Sequence, residues 1–279
     1  LVGSEMCIRD SSKEAVTMEH IFKVTIGDTV KEYPKGTTYA DIAREYEQEY
    51  EYPIALVVRN GKIRELFKKL DRDCTLEFLT LSDDAGHKTY MRTAILMMMK
   101  AIEDVLGHDK VGTVKVDYTI GNGYYCPVKS GYKLTSQDVE QVRSKMQEYV
   151  DRDILVMKKP TPLEEAKDIF RQQNMEDKVK MLRYRGNSTV NVYNLDGYYD
   201  YYYGYMLPST GYVKYFDLQL YENGFVLVLP GQKEPTVVRP FKPLHKLFQT
   251  LQISADWGSK LAVSYTHLRA NETVLDLVC

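Results

Sequence analysis

Few cysteines, no long apolar run and almost no net charge bound what this chain of 279 residues can be. Of its four cysteines only Cys74 and Cys126 lie away from the two ends. They are too few and too far apart for a disulfide framework, so a reducing, cytoplasmic setting is expected. No run of about 18 apolar residues occurs, which leaves no spanning helix and no expected membrane partner. Thirty-nine acidic against 37 basic residues give a formal charge of −2, too little field to draw in a phosphate backbone from a distance. A phosphate-binding Gly-x-x-x-x-Gly-Lys-Ser/Thr loop is missing as well. Gly107-His-Asp-Lys-Val-Gly112 is followed by Thr113 and Val114, so no lysine stands where the phosphates would need it. His20, His87, His108 and His245 stand in no metal-ligand or nucleophile spacing. What the chain has in abundance is tyrosine: 23, against one tryptophan.

The ends read as one DNA element. Ser4-Glu-Met-Cys-Ile-Arg-Asp10 can be encoded by TCG GAG ATG TGT ATA AGA GAC, and the reverse complement of that DNA translates to Val263-Ser-Tyr-Thr-His-Leu-Arg269. The strand then predicts Ala-His-Glu-Thr, against Ala270-Asn271-Glu272-Thr273 in the chain. Both ends therefore resemble translated sequencing-adaptor sequence. Residues 1–17 (artefact and leader) and 263–279 are set aside from fold reasoning, with Met18 as the expected start. Discarding residues 1–11 and 263–279 removes four acids and two bases and leaves 35 of each.

Residues 18–82 pattern as strand, strand, helix, strand, strand. Ile21 to Ile26 alternates and Val30 to Tyr33 follows a Gly-Asp turn. Thr38 can cap a helix from Tyr39 to about Tyr50, with Ile42, Ala43 and Tyr46 on one face. Asn60-Gly61 is a strong two-residue turn after the strand Ile54 to Arg59, and Leu76 to Leu81 closes the sheet. This resembles a β-grasp domain of the TGS type, a module without chemistry of its own. Lys62, Arg64, Lys68 and Lys69 read as solvated surface, with a phosphate-facing patch as the alternative.

Residues 84–240 pattern as helices with an antiparallel sheet, so the expected fold class is α+β. A helix from Thr89 to Leu106 carries Ile95, Met98, Met99, Ile102, Val105 and Leu106 at core spacing, so that two of the three consecutive methionines share its apolar face. Lys115–Ile120 and Tyr124–Val128 form a hairpin over Gly121-Asn-Gly123. Thr135 with Asp138 starts one helix, and Thr161-Pro162-Leu-Glu164 looks like a second capped start. Asn223-Gly224 turns another hairpin.

The stretch from Asp200 to Phe216, with Pro208, Thr210 and Gly211, resembles a segment of the SAD domain of threonyl- and alanyl-tRNA synthetases, in which Cys-x-x-x-His precedes Pro-x-Thr-Gly. The Cys and His positions are Tyr202 and Met206 here, and the partner His-x-x-x-His positions on the helix are Arg92 and Leu96. None of these four is a usual zinc ligand, so the frame is kept while the editing chemistry is absent. No catalytic residue, metal or cofactor is expected in this chain. Arg92, Tyr202, Tyr205, Met206 and Thr210 are the candidates for lining a ligand cleft. In it phenol rings would stack a base, and the Arg92 fork would hold a phosphate or carboxylate. The alternatives are a core filled by tyrosines and an Arg92 paired with Asp200 or another acid.

Pro240-Phe-x-Pro-x-x-Lys-Leu-Phe248 followed by Asp256-Trp257-Gly258 completes a second resemblance. The order of TGS, ligand-less SAD and this motif is similar to the N-terminal half of bacterial uridine kinase-like nucleoside kinases. That resemblance implies a non-catalytic regulatory half cut before its P-loop domain, with residues 241–262 as a junction helix. ATP and Mg would enter only with the missing kinase domain. That domain and a nucleoside, a nucleotide or a tRNA acceptor end are the implied partners. The alternative is a tRNA- or nucleotide-binding module related to the synthetase editing domains, without editing activity.

Overall fold

A computed structural model of the chain describes residues 20–112, 114–186 and 188–260. The adaptor-like ends lie outside the described residues. The fold is mixed α and β, with three sheets among those residues.

The first sheet is built as the patterning predicts. β1 (Ile21–Ile26) and β2 (Thr29–Pro34) form a hairpin. Thr38 then caps α1 (Tyr39–Tyr46), accepting from the Asp41 amide while the Asp41 carboxylate accepts from Thr38 N, so two otherwise orphaned donors are satisfied. The helix stops short of Tyr50. A 3-10 turn over Glu47–Glu49 tightens its end, and Tyr50 turns extended to set its ring edge-on to Phe78, centroids 5.9 Å apart. β3 (Ile54–Arg59) and β4 (Lys62–Glu65) flank the Asn60-Gly61 turn, where both residues take positive φ. β5 (Cys74–Thr80) pairs parallel with β1 and antiparallel with β3, giving the order β2-β1-β5-β3-β4. One face buries Tyr39, Ile42 and Tyr46 of α1 against Val24, Val57, Leu76 and Phe78. The other face of β3, through Ala55 and Leu56, lies against α2 (Asp84–Leu106). Coverage on both faces explains why Ile54-Ala-Leu-Val57 is apolar without alternation.

Replacing Thr38 with Ala is expected to lower stability by about 1 kcal/mol, read from the urea midpoint at unchanged slope. The hydrogen bond from Thr38 holds the Asp41 carboxyl below its ordinary value of 3.8. The Asp41 share of this cap is therefore present above that value and fades as the pH falls through the lowered one.

α2 is the central element of the remainder and starts five residues before the expected Thr89. It is buried on nearly every side, so Met97, Met98 and Met99 are all core, and even Lys100 is enclosed. The expectation of an apolar stripe shared by two methionines is corrected by this: a helix covered all round has no stripe. After α3 (His108–Val111) come β6 (Tyr118–Ile120), β7 (Gly123–Pro127) and α4 (Ser136–Arg152), the last opened by the Thr135–Asp138 capping box. β8 (Met157–Pro162) runs directly into α5 (Leu163–Gln172). Thr161 is thus a buried strand residue whose hydroxyl donates to Lys159 O, not the expected helix cap. The two prolines of β8 are tolerated because it is an edge strand. α6 (Glu176–Leu182), β9 (Thr189–Leu195) and β10 (Tyr198–Tyr201) follow, giving a sheet β10-β9-β8 with α5 and α6 packed on it through Phe170, Val179 and Leu182.

β11 (Asp217–Tyr221) and β12 (Gly224–Val228) complete a sheet of order β11-β12-β7-β6. Their turn is Glu222-Asn223, one position before the expected Asn223-Gly224. Gly224 sits in the strand because a Cβ there would come within 2.5 Å of Cys126 O and 2.9 Å of Pro127 Cα. On the outer face of this sheet, Phe248 of α7 (His245–Lys260) and Phe241 pack with Tyr118, Tyr125 and Tyr221. Among the described residues no helix is long and apolar enough to cross a membrane.

Candidate functional site

The four positions that resemble a ligand set converge where α2 meets the chain after β10. Arg92 and Leu96 lie one turn apart on α2, and Tyr202 and Met206 lie on the segment that crosses it. All four are buried, Arg92 at 5% and Tyr202 at 2% exposure and the other two fully. The crossing is fixed by backbone groups. Arg92 Nε donates to Tyr205 O at 3.0 Å, and Leu207 N donates to Thr93 Oγ1 at 3.0 Å. Thr93 itself donates to Thr89 O and sits 3.9 Å from Met206 Sδ. Gly204 passes so close over the guanidinium that a Cβ on it would lie 2.6 Å from Arg92 Cζ.

One residue from outside this region completes the arrangement. Glu65, at the end of β4, is 3% exposed and reaches across from the first sheet. It pairs with Lys158 at 3.0 Å and accepts from the Tyr193 hydroxyl at 3.0 Å and, at 3.3 Å, from Met206 N. Burial first, and Glu65 second, push the Tyr193 hydroxyl far above its ordinary range against the opposing pull of Arg92. Sequence reading passed over Glu65 because it stands in a charged hairpin, Lys62-Ile-Arg-Glu65. The available signal was alternation, which puts it on the same face as Ile63.

A second buried pair lies beside the first. Asp200, 3% exposed, is held by Lys178 at 2.8 Å and accepts from Tyr201 N. The Lys178 ammonium also lies 5.5 Å from the Tyr202 ring centroid, and the Tyr202 hydroxyl is pushed well up, first by burial and then by Asp200. Lys178 is thus a cation held at Asp200, a pairing that sequence reading did not name.

Thr210 works elsewhere. Its hydroxyl accepts from Ile154 N at 2.8 Å and donates to Tyr149 O, and Gly211 N donates to Asp153 Oδ1 at 3.0 Å. The Thr-Gly pair therefore ties the end of α4 to the segment after β10. Tyr205 is half-buried and contributes its carbonyl. A cavity of about 370 Å3 opens farther along α2, lined by Lys100, Asp104, His108, Gln173 and Tyr198 among others, and none of the five cleft candidates lines it. Of the lysines, Lys62, Lys68 and Lys69 are exposed.

The buried crossing has charge, hydroxyls and a thioether but no imidazole or thiolate. Among the described residues no group of three or more His, Cys, Asp or Glu is placed to hold a metal ion. Cys126 is fully buried in β7, and burial raises its thiol far above the range in which a thiolate forms.

No family model matches the chain. Curated relatives are threonine–tRNA ligases. That of Thermotoga neapolitana is 31% identical over 199 residues, covering 70% of this chain and 30% of the relative. That of Symbiobacterium thermophilum is 28% identical over 203 residues, 72% and 31% of the two chains. Threonine–tRNA ligase 1 of Bacillus subtilis is 29% identical over 203 residues, with the same coverage. These relatives overturn the nucleoside kinase expectation and the transferase assignment made with it, and they give no support to a missing kinase domain as partner. The motif behind that expectation has a local explanation: Phe241 and Phe248 are core residues of the sheet beneath them. The chain carries a region related to threonine–tRNA ligases and spans about three tenths of the length of the relatives it matches.

Proposed function

We propose that this chain is a tRNA-binding module related to the editing region of threonine–tRNA ligases, and that it does not edit. Residues 18–82 form its β-grasp module of the TGS type and residues 84–240 its SAD-like domain. The similarity to threonine–tRNA ligases carries this reading. The residue types at the α2 crossing support its second half. Arg92, Leu96, Tyr202 and Met206 include no zinc ligand of ordinary kind; all four are buried, and the Arg92 guanidinium donates to Tyr205 O and to the Thr89 hydroxyl. A buried Arg and a buried Met offer neither a general base nor a metal-bound water to a scissile ester.

The test is tRNA binding by fluorescence anisotropy over a salt series, with deacylation of a mischarged tRNA followed in parallel. Binding that weakens steadily as salt rises, without hydrolysis, is the expected result. Undetectable binding at low salt would overturn the module reading. Catalysed deacylation would overturn the loss of editing.

A further inference from the structure

The tyrosine-rich run divides in an unexpected way. Tyr201 and Tyr202 point into the core, at 5% and 2% exposure, whereas Tyr203 is 64% exposed. The loop after α6 comes up beside it and brings Arg183-Tyr184-Arg185-Gly186, with Tyr184 91% exposed. The Arg185 guanidinium carbon lies 5.7 Å from the Tyr203 ring centroid and 5.4 Å from that of Tyr201. A planar cation held between two rings is fixed in place without a carboxylate.

The charge here is also uncompensated. Surface arginines elsewhere, such as Arg143, Arg171 and Arg239, pair with carboxylates within 3.1 Å. Among the described residues Arg183 and Arg185 have no carboxylate within ion-pair distance, and neither loop, 183–186 or 201–205, contains an acidic residue. On a chain with almost no net charge, this is a local excess of positive charge next to solvent-facing aromatic rings. An arginine over one exposed tyrosine, with a second exposed tyrosine next to it in sequence, could serve a peptide or a nucleic acid. Unpaired guanidinium groups with no acid nearby select a polyanion, and exposed ring faces select one whose bases are unstacked.

We infer that Tyr203, Tyr184 and Arg185 form a stacking platform for an unpaired RNA segment, with a base on the open face of Tyr203 and the neighbouring phosphates on Arg183 and Arg185. The inference names the contact surface of the tRNA-binding module proposed above and rests on that reading for the identity of the RNA.

The experiment titrates the full chain with a short fluorescent single-stranded RNA, with the same sequence as a duplex, and with intact tRNA. Tyr203→Ala and Tyr203→Phe are compared with the parent, and matching melting temperatures verify folding, since this side chain is mostly in solvent. Tyr203→Ala is expected to weaken single-strand binding about tenfold or more, with Tyr203→Phe close to the parent because the ring is what stacks. Duplex binding should be weaker and indifferent to either change. Equal binding by Tyr203→Ala and the parent, or no single-strand binding at all, overturns the platform. If intact tRNA binds and ignores Tyr203→Ala, the platform falls and the module reading stands. If single strands bind through Tyr203 while tRNA does not bind, the platform stands and the tRNA reading falls.

Discussion

Glu65→Ala is expected to lower stability by about 3–5 kcal/mol, the largest loss of any exchange of a charged side chain considered for this chain. The substitution strands the Lys158 ammonium, which is only 14% exposed, with no anion in a low-dielectric seam. It also removes an acceptor from the Tyr193 hydroxyl and from Met206 N. The Tyr193 hydroxyl can still donate to Gly204 O at 2.7 Å, so most of the cost falls on the lysine. A urea titration reads the loss directly as a midpoint shift. Three companion results make the attribution specific. Glu65→Gln should lose less, because an amide oxygen still faces the ammonium. Glu65→Leu combined with Lys158→Met should recover much of the loss, because replacing a whole buried pair by apolar groups avoids the unpaired charge. High salt should leave the difference nearly unchanged, since a buried pair is poorly screened. Equal stability of Glu65→Ala and the parent would mean that the seam between the first sheet and the α2 crossing is not held by this pair.

That seam also shows how far the sequence could be read. Local rules were legible wherever a residue answers to its neighbours in the chain. Asn60-Gly61 turns as expected, Thr38 and Thr135 cap as expected, and the first sheet closes in the expected strands. The rules failed where a residue answers to a distant one. Thr161-Pro162 has every local mark of a helix start, but the pairing of Thr161 with Val190 draws it into β8. Glu65 looks like a surface residue until β9 brings Tyr193 beside it and β8 brings Lys158. The tyrosines do not follow strand alternation through the run, because β10 ends at Tyr201 and the chain leaves the sheet. Of the candidate site, the resemblance named positions 92, 96, 202 and 206, all four of which are buried. Their shared burial, and the interposed Glu65 and Thr93, depend on packing that no local pattern encodes.

Gly204→Ala tests the crossing from its other side and should cost about 3 kcal/mol, the second large effect. Two causes add. The backbone at Gly204 has φ of +144°, a conformation that residues with a Cβ rarely adopt, which costs about 1–2 kcal/mol. The new Cβ would also lie 2.6 Å from Arg92 Cζ and 2.9 Å from Nε and Nη1. Arg92 is enclosed and cannot swing to solvent, so relief requires giving up its bond to Tyr205 O. The two causes separate in a double-mutant cycle with Arg92→Ala. Removing the guanidinium vacates the space the Cβ needs, so Gly204→Ala in that background should cost only the backbone share, about 1–2 kcal/mol. The difference from the parent background is the coupling energy, expected at about 1–2 kcal/mol. Strict additivity would place the whole cost in the backbone and show that Arg92 is free to yield. Coupling would show the guanidinium clamped between α2 and the segment that crosses it, as a buried strut where the resembling ligand set has an imidazole.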